Sequence, residues 1–139
     1  MARDRIDELI SRLEAAFPGY TFDRDALEIG GDEDTGAVEV TGIEDVQMAD
    51  GKPVGITWGI DIWMAGESSG LEMIQTMEDV LNAYDDEVAT ILWRMPKRNY
   101  LVDIGRVAWQ WHLTLYGDPG AEVETEEETD PETEGDGNG

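Results

Sequence analysis

The chain has 139 residues, a length that suits one domain with its own hydrophobic core. It has no cysteine and one histidine, which excludes disulfides, thiolate metal sites and cysteine nucleophiles. The net charge of −24, from nine basic and 33 acidic residues, disfavours binding to the phosphate backbone of nucleic acids. No apolar run has the length of a membrane span, and the charged, amphipathic start of the chain is not typical of a signal peptide.

The first predicted element is a helix over residues 3–17. Its apolar side chains recur at the spacing of one helix face: Ile6, Leu9, Ile10, Leu13, Ala16 and Phe17. Asp4 and Asp7 lie in the early turns, where the helix dipole favours negative charge. Pro18 and Gly19 end the helix. The apolar face therefore needs a partner, and a sheet is the obvious one.

Three strands are predicted next, over residues 20–29, 37–46 and 54–64. The first changes phase near residues 23–25, which indicates a bend. The third has a large apolar residue at every second position: Val54, Ile56, Trp58, Ile60, Ile62 and Met64. A strand places such residues on one face, so this is a central strand of a sheet covered on one side. Gly55 and Gly59 indicate that a neighbour packs closely on the other face of the strand. The alternative is a bulge, or a strand that simply tolerates glycine at these positions.

A second helix is predicted from Gly70 to about Tyr84, with Ser69 and Glu72 as a capping box. Its buried stripe comprises Leu71, Ile74, Met77, Leu81 and Tyr84, widened by Met73 and Val80. Strands over 87–95 and 100–116 follow, separated by a turn over 96–99. The apolar phase of the last strand flips at Gly105, which predicts a bulge or break.

This order predicts a two-layer α+β fold: a mostly antiparallel sheet of four to five strands with both helices on one face. We assign residues 1–117 to this domain. Residues 118–139 carry ten acidic and no basic residues and only one large apolar residue, Val123. Such a segment cannot bury enough apolar surface to offset the entropy of ordering, so we predict a disordered acidic tail.

The sequence contains one motif of a catalytic serine. Residues 66–70 match G-x-S-x-G, with Ser68 as the nucleophile, and Asp103 and His112 follow in the chain order of a hydrolase. Such enzymes need a large, mainly parallel sheet, for which this chain is too short, and a serine at a helix start is expected as a cap. We therefore predict that the protein is not an enzyme.

Candidate ligand sites are equally weak. Asp32 and Asp34 suggest a calcium loop, but the position of its closing glutamate is Ile43. Lys52 follows a glycine, but the earlier glycine of a phosphate loop is missing. His112 has no partner histidine or cysteine for a metal. We predict no cofactor and no metal site.

The remaining candidates are contact residues. If Trp63 points away from the helices, it lies on the uncovered sheet face, as a subunit-contact residue would; a rim tryptophan half covered by a loop is the alternative. The outer face of the last strand is polar and could meet a neighbouring subunit. The predicted contact residues are Trp63, Arg106, Gln110, His112 and Thr114.

The order of elements resembles the tail-terminator proteins of long-tailed viruses. The resemblance covers about residues 3–117: the helix RIDELISRLEAAF, the strand GITWGIDIWM, the helix GLEMIQTMEDVLNAY, and the strands VATILWRM and VAWQWHLTLYG. It rests on order and pattern, without a short diagnostic motif. Abundant acidic residues with scarce lysine also resemble proteins of salt-in haloarchaea and their viruses; an ordinary acidic protein is the alternative.

The resemblance implies a virion structural protein, made in the host cytoplasm, that forms a homo-oligomeric ring, usually of six copies. Such a ring caps the tail tube, ends tail growth and joins the tail to the head–tail connector or neck. DNA would pass through the ring without specific binding, and no membrane is involved. Head–tail joining and tail-completion proteins have similar folds and remain alternatives. A small acidic module that mimics DNA is an alternative of another class.

Overall fold

A computed structural model describes residues 3–24, 34–65, 70–101 and 105–123 of the chain. The fold is α+β, as the sequence predicts. Its elements are β1 (Arg3–Asp4), α1 (Arg5–Ala16), β2 (Thr21–Arg24), β3 (Thr35–Ala49), β4 (Lys52–Ala65), α2 (Gly70–Glu87), β5 (Ile91–Trp93), β6 (Lys97–Leu101), β7 (Arg106–Tyr116) and β8 (Glu122–Val123).

The main sheet is built around β4, the strand with the alternating apolar pattern. Within the described chain, it has six strands in the order β2-β3-β4-β7-β5, and β6 pairs with another part of β7. All pairs are antiparallel except β2 with β3. The prediction of a mostly antiparallel sheet is therefore confirmed, with one strand more than expected.

Both helices pack on one face of this sheet. The N-terminus of α1 is capped by Asp4, whose Oδ1 accepts a hydrogen bond of 2.9 Å from the backbone N–H of Asp7. The helices are also joined to each other, because Tyr84 Oη donates a 2.8 Å hydrogen bond to the carbonyl of Arg5. Their buried side chains form one cluster with the sheet: Ile6, Leu9 and Leu13 of α1, Met73, Met77, Leu81 and Tyr84 of α2, and Ile60, Ile62 and Met64 of β4.

The predicted stripe of α2 is wrong at one position. Leu71 lies in the first turn and is 69 % exposed, whereas Met73, predicted only to widen the stripe, is buried. The buried face of the first turns therefore passes through Met73 and leaves Leu71 on the solvent side.

The apolar stripe of β4 extends beyond the helices. Ile60, Ile62 and Met64 are fully buried, but Val54 is 59 % exposed. The neighbouring strand β7 pairs with β4 only from Thr57 onward, so residues 46–56 continue as a two-stranded ribbon that we call the arm. The arm ends in a two-residue turn at Asp50 and Gly51, with φ angles of 53° and 76°, as hairpins of the twisted type I′ require.

The last two predicted strands differ from the structure. Helix α2 continues to Glu87, which leaves β5 only three residues. The predicted strand over 100–116 is two strands, since β6 and β7 pair antiparallel across a reversal at Gly105, whose φ is 65°. Part of the predicted turn over 96–99 belongs to β6. The change of apolar phase thus marks the turn of a hairpin, where the sequence predicted a bulge or break within one strand. Of the first predicted strand, Thr21–Arg24 is present, and the rest lies outside the described residues.

Residues 118–123 pack onto the domain, although the sequence led us to place the acidic tail from Asp118 onward. Strand β8 pairs with β1, and the backbone N–H of Arg5 donates a 3.0 Å hydrogen bond to the carbonyl of Ala121. Val123 is buried, which gives this segment an apolar contact. The remainder of the predicted tail, 124–139, lies outside the described residues.

Candidate functional site on the uncovered sheet face

Four of the five predicted contact residues lie together on the face of the sheet opposite the described helices. Asp61 and Trp63 of β4 stand opposite His112 and Gln110 of β7, and Gly59 stands opposite Thr114. Because directly opposed residues point to the same face, these side chains form one surface. We call this set, Asp61, Trp63, Gln110, His112 and Thr114, the uncovered face. The fifth residue, Arg106, pairs through its backbone with Leu101 on β6, and its side chain lies outside the described part.

A chain of polar contacts crosses the uncovered face. His112 Nε2 lies 2.8 Å from Glu44 Oε2, and His112 Nδ1 lies 2.6 Å from Asp61 Oδ1. Gln110 Nε2 donates a 3.1 Å hydrogen bond to Asp61 Oδ2 and accepts at Oε1 a 2.9 Å bond from Asn99 Nδ2. These five residues come from β3, β7, β4 and β6, so the network joins four strands.

The network favours a protonated histidine. Its hydrogen bond to Asp61 raises the pKa of His112 above the usual 6.5; burial opposes this, and Glu44 adds to the rise through a second hydrogen bond and its charge. Only the imidazolium form can donate from both ring nitrogens. Asp61 is 9 % exposed, and a buried carboxylate needs such partners.

The position of Glu44 depends on two local features of the hairpin. The pairing of β3 with β4 shifts between Ile43 and Asp45, which leaves Glu44 as an extra residue of a bulge. The space for its side chain comes from Gly59, because a Cβ at that position would lie 2.5 Å from Glu44 Oε2 and from Thr41 Oγ1. Two of the alternatives open for Gly59 in the sequence are therefore found together: a close neighbour on the other face, and bulges in the strand with which it pairs.

Trp63 does point away from the helices, but it is only half-buried and covers small residues of its own sheet. It packs against Ala65 and Ala108, which are fully buried. Its indole N–H is buried and has no hydrogen-bond partner among the described residues. A contact of Trp63 with another subunit stays a prediction.

Two small concavities flank His112 at the β5–β6 side of the sheet. One of about 220 Å³ is lined by Arg94, Met95, Lys97, Gln110 and His112. The other, of about 170 Å³, is lined by Glu44, Leu92, Trp93, Arg94, His112 and Thr114. Arg94 therefore lies at the rim between them, beside the polar network.

The other sequence motifs lie largely outside the described residues. Ser68 and Asp103 lie outside the described residues, as does Asp32 of the calcium hypothesis. Both ring nitrogens of His112 already face carboxylates. Among the residues that the structure describes, no three His, Cys, Asp or Glu side chains are grouped so that they could hold a metal ion. Neither described helix combines the length and the apolar character that crossing a membrane requires.

No protein-family model matches this chain, and no curated protein shows significant sequence similarity to it. The function must therefore be inferred from the surface itself. The sequence did not reveal Asp61 and Glu44 as partners of His112. Asp61 could have been noticed as the one acidic residue within the alternating strand, but Glu44 depends on a bulge that no local pattern marks.

Proposed function

We propose that this protein is a virion structural protein that assembles into a ring on the tail tube of a long-tailed virus, ends tail growth and joins the tail to the neck. The proposal rests mainly on the surface that a single copy leaves open. The helices cover one face of the sheet, and the arm carries exposed apolar residues, with Val54 at 59 % and Met48 at 57 %. Exposed apolar surface of this kind is typical of protein–protein contacts.

Two further features support an assembly function. The uncovered face is organised by hydrogen bonds among its own side chains, and the two concavities beside His112 are small. The order of helices and strands on which the resemblance to tail terminators rests is present in the fold, with β1, β6 and β8 as additional strands. Head–tail joining and tail-completion proteins remain alternatives of the same class. The partners in this proposal are further copies of the chain, the tube protein and a neck protein.

The acidic composition leads us to propose a haloarchaeal virus as the source. At about 1 M salt the Debye length is only about 3 Å, so the repulsion within a chain of net charge −24 is largely screened. The assembly should therefore be tested in multimolar salt. An acidic lumen would let DNA slide through the ring without binding.

The test is sedimentation velocity and native mass measurement of the full chain in multimolar potassium chloride, followed by electron microscopy. We expect closed rings, with six copies as the implied number, that bind the end of a tube assembled from the tube protein of the same virus. Binding to the portal protein instead would favour the head–tail joining alternative. A strictly monomeric particle, or a ring without affinity for either protein, would contradict the proposal.

A further inference from the structure

The free edge formed by β5 and β6 differs in charge from the rest of the molecule. Residues 91–101 contain three basic residues, Arg94, Lys97 and Arg98, and no acidic one, in a chain of net charge −24. All three side chains are exposed, and none has an ion pair within the described ranges. In contrast, three arginines near the N-terminus form ion pairs with carboxylates: Arg3, Arg12 and Arg24.

The same edge also exposes large apolar side chains. Leu92 is 73 % exposed, Met95 66 % and Tyr100 62 %. Apolar and basic groups side by side are unusual on a surface dominated by carboxylates, and they match the composition of contact sites better than that of a solvated edge. We call the residues Leu92, Arg94, Met95, Lys97, Arg98 and Tyr100 the basic edge.

The arm has the complementary composition. Its apolar residues Val46, Met48 and Val54 are 39–59 % exposed. Asp50 lies in its turn and Asp45 at its base, against the single basic residue Lys52. Together with its base, the arm thus offers apolar surface with a net negative charge, and the basic edge offers apolar surface with a positive charge.

The two surfaces belong to different parts of one copy. The arm extends from β3 and β4 beyond the end of β7, whereas the basic edge lies on the other side of β7. Among the pairings that the structure describes, none joins the arm to β5 or β6. Each copy therefore carries one arm and one edge, both available to other copies.

We propose that the arm of one copy docks on the basic edge of the next copy, with Val54 and its apolar neighbours against Leu92 and Met95, and with the arm carboxylates towards Arg94. This contact is head-to-tail, so repeating it closes a ring or extends a filament. The inference deepens the proposed ring function, on which it rests, by naming the surfaces that would form the ring. The apolar part keeps the contact stable when salt screens the charges.

The test uses three matched single substitutions at exposed apolar positions. Val54→Asp alters the arm, Leu92→Asp alters the basic edge, and Leu71→Asp, on α2 and 69 % exposed, is the control. Sedimentation velocity in multimolar potassium chloride should show rings for the wild type and the control, and monomers for the two others. Circular dichroism verifies that all four proteins are folded.

Mixing the two assembly-deficient variants gives the sharpest result. The Leu92→Asp copy keeps an intact arm, and the Val54→Asp copy keeps an intact edge. An equimolar mixture should therefore form one-to-one dimers and nothing larger, whereas each variant alone stays monomeric. If both variants form rings as the wild type does, or if the mixture forms no dimer, the docking of arm on edge is wrong while the ring itself stands. A monomeric wild type would contradict both proposals.

A second measurement does not depend on the aspartate variants folding. The chain has no cysteine, so a Val54→Cys, Leu92→Cys double variant can be treated with a bifunctional maleimide. We expect a ladder of cross-linked multimers that ends at the ring size. The matched variant with Val54→Cys and Leu71→Cys should stay mostly uncross-linked. Rings that form without such a ladder would overturn the inference.

Discussion

The charge of His112 offers a direct test of the polar network, because it is the one histidine of the chain. The perturbation is Asp61→Asn, compared with Glu44→Gln. Both substitutions keep the side-chain size and remove one negative charge beside the imidazole. Asp61 is the largest cause of the raised pKa of His112, and it is almost completely buried, so its loss should have the larger effect.

The magnitude follows from the exposure of the two pairs. A charge-assisted hydrogen bond contributes about 1.5–3 kcal/mol, and we take the lower end for Asp61 because the His112 side chain is 36 % exposed. The contact with Glu44, itself 37 % exposed, is worth about 0.2–1 kcal/mol. We therefore expect Asp61→Asn to lower the free energy of unfolding by about 1.5 kcal/mol, and Glu44→Gln by about 0.5 kcal/mol, just below pH 6.5, where His112 is protonated.

The direction of the pH dependence follows from the raised pKa. Protonated His112 stabilises the folded state, so this contribution is fully present below about pH 6.5 and is lost as the pH rises through the folded-state pKa. We expect the wild type to lose this stability across that window. The Asp61→Asn protein should show a much flatter dependence there.

The assay combines two measurements on the same three proteins. Urea unfolding at a series of pH values gives the free energies, and NMR titration of the histidine ring gives the pKa of His112 directly. Adding salt to about 1 M should weaken the effect of Glu44 more than that of Asp61, since exposed pairs are screened more strongly. A His112 pKa at or below 6.5 in the wild type, or a larger effect of Glu44→Gln than of Asp61→Asn, would refute this account of the network.

Two further substitutions test how the fold is held together. Gly59→Ala should destabilise the protein by about 1–3 kcal/mol, because the new Cβ would displace the Glu44 carboxylate and strain the bulge. Thermal unfolding measures this loss, and an unchanged midpoint would show that Glu44 moves aside freely. Tyr84→Phe should lower the free energy of unfolding by about 1 kcal/mol, because the carbonyl of Arg5 loses its 2.8 Å hydrogen bond between the helices. Urea unfolding should show a lower midpoint with the same slope, and an unchanged midpoint would mean that water replaces the hydroxyl.

Elements with a long, regular pattern could be predicted from the sequence. Helix α1 and strand β4 have apolar residues at helical and alternating spacing, and the structure places both within a few residues of the predicted bounds. Local patterns gave no such information on pairing. The hairpin of β6 and β7 looked like one strand, because a reversal at Gly105 and a bulge produce the same change of phase.

The candidate site could be predicted only in part, for a related reason. The outward positions of β7 follow from alternation alone, so Gln110, His112 and Thr114 could be placed on one face. The partners of His112 could not, because they come from other strands. Asp61 reaches it through the register of β4 with β7, and Glu44 reaches it through a bulge opposite a glycine. Such contacts depend on tertiary pairing, which a single sequence does not specify.

The arm gives the strongest reason to regard one copy as incomplete. Alternation in β4 runs without interruption from Val54 to Met64, yet the helices cover only the part from Ile60 onward. A strand that served only the core of its own copy would need polar residues on both faces where it leaves the sheet, since exposed apolar residues on a ribbon favour association. The chain has polar residues in abundance, with 33 acidic ones, but keeps valine at position 54 and methionine at position 48. The proposed self-association through the arm would account for both residues, because it would bury them against a neighbouring copy.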